Sequence, residues 1–260
     1  MKRSEDEKAA LVSHLKELHL PTIRSCFEEL ARQAEQETLS YERYLLALIE
    51  RELQVRRQHR LERQLRDSRL PMDKDLASFD MKRLPAKLAR QVKSLLDGSF
   101  VDRRENLLAF GTVGGGKTHL LCGIAHELVR QGRKVYFRSG GLLVQEFLAA
   151  KRDLKLSRAI KKLASYEAIV IDDLGYVQQS REEMEVLFTL LAERYERGSV
   201  MITSNLPFSK WEAIFKDPMT TAAAIDRLVH HCVILELNIP SYRMEQAKKN
   251  RPDAPDASAA

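Results

Sequence analysis

From about Glu7 to Arg69, apolar residues recur at three- and four-residue spacing: Leu11, Leu15 and Leu18, then Tyr44, Leu45, Leu48 and Ile49. That period gathers apolar side chains on one face of a helix. No glycine interrupts the stretch, and its one proline, Pro21, suits the first turn of a second helix. The pattern predicts an all-helical N-terminal domain over residues 1–69, ended by Leu70 and Pro71. Residues 70–100 read as an ordered linker and the start of a second domain. From residue 101 the pattern changes. "NLLAF", "KVYFRS", "AIVIDD", "SVMITSN" and "CVILEL" are short apolar runs separated by helical segments. One such segment, "THLLCGIAHELVRQG", stops at Gly132. Uninterrupted apolar runs are strands buried on both faces, and alternation with helices implies a parallel sheet covered on both sides. The expected fold class is α/β, with a five-stranded parallel sheet over residues 101–245. Residues 246–260 are small, polar and proline-containing, and are expected to form a disordered tail.

Composition narrows the class. With 260 residues, 44% hydrophobic and 31% charged, the chain can bury a sizeable core. The formal charge of +6 and pI near 9.2 are modestly basic, so the placement of the cations matters more than their sum. Cys26, Cys122 and Cys232 show no CxxC or Cys/His grouping, which fits reduced thiols in a cytoplasmic protein rather than zinc ligands or disulfides. No apolar leader is visible, and no run approaches the roughly 18 apolar residues of a membrane span.

The chemistry concentrates after the first strand. "GTVGGGKT", Gly111 to Thr118, fits G-x-x-x-x-G-K-[ST] between a strand and a helix. Glycines leave bare backbone N–H groups facing an anion, and the helix start adds its positive dipole end. The candidate ATP-binding residues are Gly111, Thr112, Val113, Gly114, Gly115, Gly116, Lys117, Thr118 and His119. Lys117 is placed to reach the β- and γ-phosphates and Thr118 to hold Mg²⁺ through its hydroxyl. Thr112 stands where many such loops carry proline, which leaves the loop less preset.

"AIVIDD" ends a buried strand in two carboxylates. Asp172 is the candidate Mg²⁺ partner, acting through water, and Asp173 the group that orients or deprotonates an attacking water. The same pair could simply cap the next helix. Asn205 closes "SVMITSN", where its amide could bond the γ-phosphate or the water, or serve as a turn residue.

Taken together, these elements resemble an AAA+ ATPase. "SNLPFSKWEAIFKDP" followed by "AAAIDRLVHH" resembles the IstB-type helper ATPases of bacterial insertion sequences, relatives of the DnaC and DnaI helicase loaders. The resemblance covers essentially the whole chain. It implies Walker A roles for Lys117 and Thr118, Walker B roles for Asp172 and Asp173, and a first-sensor role for Asn205. Arg227 matches the arginine finger, which acts on a neighbour's nucleotide and so implies a homo-oligomer joined by ATP. Too little chain follows "CVILEL" for a separate lid, which leaves Arg243 as the candidate second sensor, or simply a solvated tail arginine. The implied activity is slow, DNA-dependent ATP hydrolysis that holds double-stranded DNA, deforms it, and delivers it to an integrase-type transposase. A replicative helicase loader is the closest rival. A small-molecule kinase would need an acceptor pocket and lid, and leaves Asn205 and Arg227 without a role.

Two basic stretches are candidate DNA contacts. In Arg51–Arg69, Arg56, Arg57, Arg60 and Arg63 lie largely along one helical side, with Leu53, Leu61 and Leu65 spaced for packing. This suits phosphate contact, an acidic partner, or a solvated helix with ion pairs to Glu52, Glu62 and Asp67. In "KRDLKLSRAIKK" the candidates are Lys151, Arg152, Lys155, Arg158, Lys161 and Lys162, where initiator-type AAA+ proteins carry an extra helical element lining a DNA channel. No aromatic ladder is interleaved, so backbone contact is expected rather than base stacking.

Overall fold

The computed structural model describes residues 2–174, 180–211, 218–242 and 244–245. Arg243 and the tail, residues 246–260, lie outside the described residues. The chain divides into two compact units, residues 1–63 and 64–260.

The first unit consists of α1 (Lys2–Glu17), α2 (Pro21–Gln36) and most of α3 (Tyr41–Ser68). Leu15, Ile23 and Leu48 are its buried centre, with Leu20, Cys26, Phe27, Leu30 and Tyr44 packed around them. Pro21 opens α2, but Leu20 before it has no side-chain acceptor for the first N–H groups. Glu52 on α3 supplies one: its Oε2 accepts from the N–H groups of Thr22 (2.8 Å) and Ile23 (3.1 Å), while Oε1 accepts from Arg56 Nε (2.7 Å). Burial pushes the Glu52 carboxyl upward, yet Arg56 and the two amides outweigh it and hold it below the usual range. Leu11, Leu18, Leu45 and Ile49 are exposed, so three helices cover only part of the apolar face that the periodicity predicts.

In the second unit α4 (Ala86–Leu95) and α5 (Ser99–Asp102) precede β1 (Asn106–Gly111) and α6 (Lys117–Arg130). Then come β2 (Val135–Ser139), α7 (Gly140–Arg152), α8 (Leu156–Ala164), β3 (Ala168–Asp172) and α9 (Arg181–Arg194). The unit closes with β4 (Ser199–Ser204), α10 (Pro218–Val229) and β5 (Cys232–Leu237). All five expected strands form one parallel sheet in the order β2-β3-β4-β1-β5. The apolar runs are long enough to bury both faces: Leu107, Leu108, Ala109 and Ala168 to Ile171 are fully buried. Inserting β4 between β3 and β1 sets the C-terminal ends of these three strands side by side. Ile171 stands opposite Ile202, and Ala109 opposite Thr203.

Buried polar side chains tie the other end of the sheet. Asn106 donates to Leu228 O (3.0 Å) and accepts from Val200 N (2.9 Å), which joins β1, β4 and α10. The Arg194 guanidinium donates to the carbonyls of Tyr166 (2.7 Å), Glu167 (2.9 Å) and Ser199 (3.1 Å), and burial pulls its pKa down to about 10. No described helix is long and apolar enough to cross a membrane.

Candidate nucleotide-binding site

Two glycines make the turn from β1 into α6 possible. Gly111 has φ 143°, and a Cβ there would lie 2.2 Å from the Leu237 carbonyl oxygen of β5. Gly116 has φ 88° at the N-cap of α6, where a Cβ would meet the Phe79 ring at 3.0 Å. Side chains are excluded at both places, so the loop presents backbone. The start of α6 adds N–H groups that have no partner within the helix, and its dipole end favours an anion. Lys117 is buried, and its Nζ donates to Gly111 O (3.0 Å) and Thr112 O (2.9 Å). The Thr112 hydroxyl donates to Ile239 O (3.0 Å), which anchors a position where a proline would have set the loop by its ring.

The acidic pair is held by β4. Asp172 Oδ1 accepts from the hydroxyls of Thr118 (2.7 Å) and Thr203 (2.6 Å). Thr203 Oγ1 in turn accepts from Asp173 N (2.8 Å), while Thr203 O accepts from Leu174 N (2.9 Å). Asp173 sits at φ 56°, a left-handed conformation that an aspartate adopts only at a cost. Ser204 Oγ donates to Leu174 O (2.7 Å). Thr203 and Ser204, which the sequence shows only as the end of a strand, thus fix the backbone that carries both carboxylates.

A cavity of about 240 Å³ opens over the loop. Val113, Gly114, Gly115, Gly116, Lys117, Thr118, His119, Asp173 and Asn205 line it, so the structure brings these sequence candidates together. Asn205 Oδ1 is buried without a hydrogen-bond partner among the described residues. A buried acceptor left unpaired costs about 1–3 kcal/mol, and a donor in the cavity would recover it.

The far wall comes from residues that the sequence did not single out: Phe79, Arg83, Ile239 and Tyr242. His119 Nε2 lies 2.9 Å from Asp75 O, and the His119 ring meets Phe79 edge-on at 5.2 Å. Arg83 donates to Pro240 O (2.9 Å) and Glu245 Oε2 (3.0 Å), and covers the Tyr242 ring at 5.1 Å. Tyr242 N closes onto Gly114 O (3.1 Å). The signals were Phe79 and Tyr242, single aromatics in otherwise polar stretches.

These residues fit a triphosphate with a hard divalent cation: bare backbone and Lys117 for phosphate, and the oxygens of Thr118 and Asp172 for the metal. Cys122, beneath the loop, takes no part. Burial, and then the charge of Asp172, push its thiol up to about 12.

Arg227 does not line this cavity. Its guanidinium lies 4.7 Å over the Phe188 ring, and it borders a separate cavity with Arg103, Arg104, Tyr195, Glu196 and His231. In α8, Ile160 and Leu163 turn inward, while Arg158, Lys161 and Lys162 are exposed. Arg152 ends α7 and is exposed, as is Lys155 in the turn. Lys151 is paired with Glu185 (2.9 Å) and Lys155 with Asp153 (3.6 Å). In the first unit Arg56 is engaged with Glu52 and the His19 carbonyl, and Arg57, Arg60 and Arg63 are exposed.

The family profile described as "IstB-like ATP binding protein" matches residues 13–250. An insertion-sequence ATP-binding protein of Sinorhizobium fredii is 41% identical over 249 residues, covering 94% of this chain and 84% of that one. The ATP-binding protein of insertion sequence IS21 from Pseudomonas aeruginosa is 34% identical over 243 residues, covering 94% and 91%. Among solved structures, the DnaC helicase loader superposes with a TM-score of 0.56 at 16% identity, covering 65% of this chain and 98% of that one. At that identity the likeness shows the fold alone.

Proposed function

The chain belongs to the IstB-like ATP-binding protein family, and from that premise we propose that it is the ATP-dependent DNA-binding helper of an insertion sequence. It is an ATPase with the AAA+ P-loop fold. In this reading it assembles on duplex DNA, deforms it, and presents it to an integrase-type transposase. The observation that carries the reading is the convergence of the glycine loop, Lys117, Thr118, Asp173 and the unpaired Asn205 Oδ1 at one cavity, with Asp172 and Thr203 joined to Thr118 by hydrogen bonds outside its lining. The names of the insertion-sequence relatives support the setting.

In this reading each residue has a role. Lys117 exchanges two loop carbonyls for phosphate oxygens when ATP enters. Thr118 and Asp172 already share a hydrogen bond and together offer oxygens to Mg²⁺. Held there, Mg²⁺ would neutralise phosphate charge. Asp173, held by its N–H, orients the attacking water and accepts its proton, while Asn205 accepts from that water through Oδ1 or donates to the γ-phosphate through its amide nitrogen. Phe79, Ile239 and Tyr242 give the base an apolar wall. Arg227 acts on the nucleotide of a neighbouring subunit, so ATP joins subunits. The exposed cations of α8 hold DNA phosphates, with Arg152 and Lys155 beside them.

The test is ATP-dependent assembly. Wild-type protein with duplex DNA and Mg·ATP should form large complexes by sedimentation and negative-stain imaging, and Lys117→Ala should form none. A wild-type protein that stays monomeric and ignores duplexes at saturating Mg·ATP overturns the reading.

A further inference from the structure

The turn between α7 and α8 breaks a local rule. After Arg152, Lys155 N–H donates to Ala150 O (2.7 Å) and Leu154 N–H donates to Lys151 O (3.1 Å). These two bonds close the helix in a Schellman turn, which needs a left-handed residue just past the cap. Glycine or asparagine normally stands there, because a Cβ crowds the neighbouring carbonyl. This chain has Leu154, at φ 57°; His19, Thr38 and Arg104 close α1, α2 and α5 in the same way, but those three are polar and Leu154 is apolar. Its side chain is 95% exposed, so packing offsets nothing. Both the backbone and the solvent disfavour leucine here, and the folded chain offers no compensation.

The surroundings indicate what would cover it. Arg152, Lys155 and Arg158 are exposed within four residues of Leu154; the adjacent Asp153 and Lys155 are polar, and the next leucine, Leu156, packs partly buried against the core instead of joining Leu154 at the surface. An apolar protein partner would need a wider apolar patch than one side chain. A duplex asks for something else: cations that take the phosphates, and a single apolar side chain that enters between stacked bases.

We propose that Leu154 is a wedge that inserts at a base step of duplex DNA while Arg152, Lys155 and Arg158 hold the flanking phosphates. The proposal rests on the DNA-binding reading above and adds a location to the deformation. The bend arises at discrete unstacked steps, one per engaged subunit. Pyrimidine–purine steps, which unstack most readily, are the preferred sites.

The test uses the full chain with Mg·ATP and a duplex containing several TA steps, probed with permanganate, which attacks unstacked thymines. Wild-type protein should make thymines at these steps reactive. Leu154→Gly and Leu154→Ala should still bind, with an unchanged salt slope, but reactivity should fall to that of free duplex. Leu154→Met should keep it. Leu154→Gly should also leave Tm unchanged or raised, because it relieves the backbone conflict. Wild-type binding without thymine reactivity overturns the wedge and leaves the DNA reading standing. A glycine variant that keeps full reactivity, or that lowers Tm, also overturns it by making Leu154 a structural residue. Absence of any DNA binding overturns the wedge and the DNA reading together.

Discussion

Thr203→Val is the sharpest perturbation of the nucleotide site, because it keeps the shape and removes one hydroxyl. Thr203 is fully buried at the end of β4, and it lines no part of the cavity. The hydroxyl accepts from Asp173 N (2.8 Å) and donates to Asp172 Oδ1 (2.6 Å). Without it the Asp173 N–H loses this acceptor, at a cost of about 1–3 kcal/mol. Asp172 loses one of two hydroxyl donors; a bond to a charged acceptor contributes about 1.5–3 kcal/mol, and Thr118 still supplies the other at 2.7 Å. The two losses share one residue and relax together, so about 3 kcal/mol is the expected total. At 2–4 °C per kcal/mol for a domain of this size, Tm falls by about 6–12 °C. Asp173, already in a left-handed conformation, loses a hydrogen bond at its N–H, and a displacement of about 1 Å can slow a reaction about 100-fold. ATP affinity should change little. The assays are a thermal melt, single-turnover hydrolysis, and fluorescent-nucleotide binding. Thr203→Ser, which keeps the hydroxyl, should restore most of both losses. A valine variant that melts and hydrolyses like the wild type would refute the argument. So would a serine variant as impaired as valine, since packing of the γ-methyl would then be the cause.

Arg227→Ala should bind ATP normally yet hydrolyse it at least about 1,000-fold more slowly in assemblies. Mixing it with Lys117→Ala should restore turnover, because one variant keeps the site and the other the finger; full activity of Arg227→Ala alone would place the finger elsewhere. Replacing Arg158, Lys161 and Lys162 with alanine removes the outward cations of α8 and spares its inward Ile160 and Leu163. The slope of log binding constant against log salt should then fall by up to about 3, near 0.9 for each phosphate no longer neutralised, on every DNA sequence. An unchanged slope would move the DNA site to the exposed arginines of α3.

What the sequence disclosed and what it hid differ in range. The five strands were legible because each is a short, mainly apolar run set off from its helical neighbours; "AIVID" ends at Asp172, and "NLLAF" stops at Gly111. The phosphate loop was legible because glycines, lysine and threonine stand within eight consecutive positions. The far wall of the cavity was not. Phe79 and Arg83 precede the sheet and Tyr242 follows it, and only the closed fold brings Arg83 against Tyr242 and Glu245. Glu52 reads as a surface acid on a charged helix, yet it caps α2 from across the unit. Arg194 carries no signal in the sequence, yet its guanidinium ends among backbone carbonyls. Periodicity says which face of an element is apolar, but not what another element will bring against it. Leu154 is the converse case. As a leucine among basic residues it carries no signal in the sequence. It stands out only when its positive φ and near-complete exposure are known together. A residue that satisfies neither its own backbone nor its own core is best explained by something outside the chain.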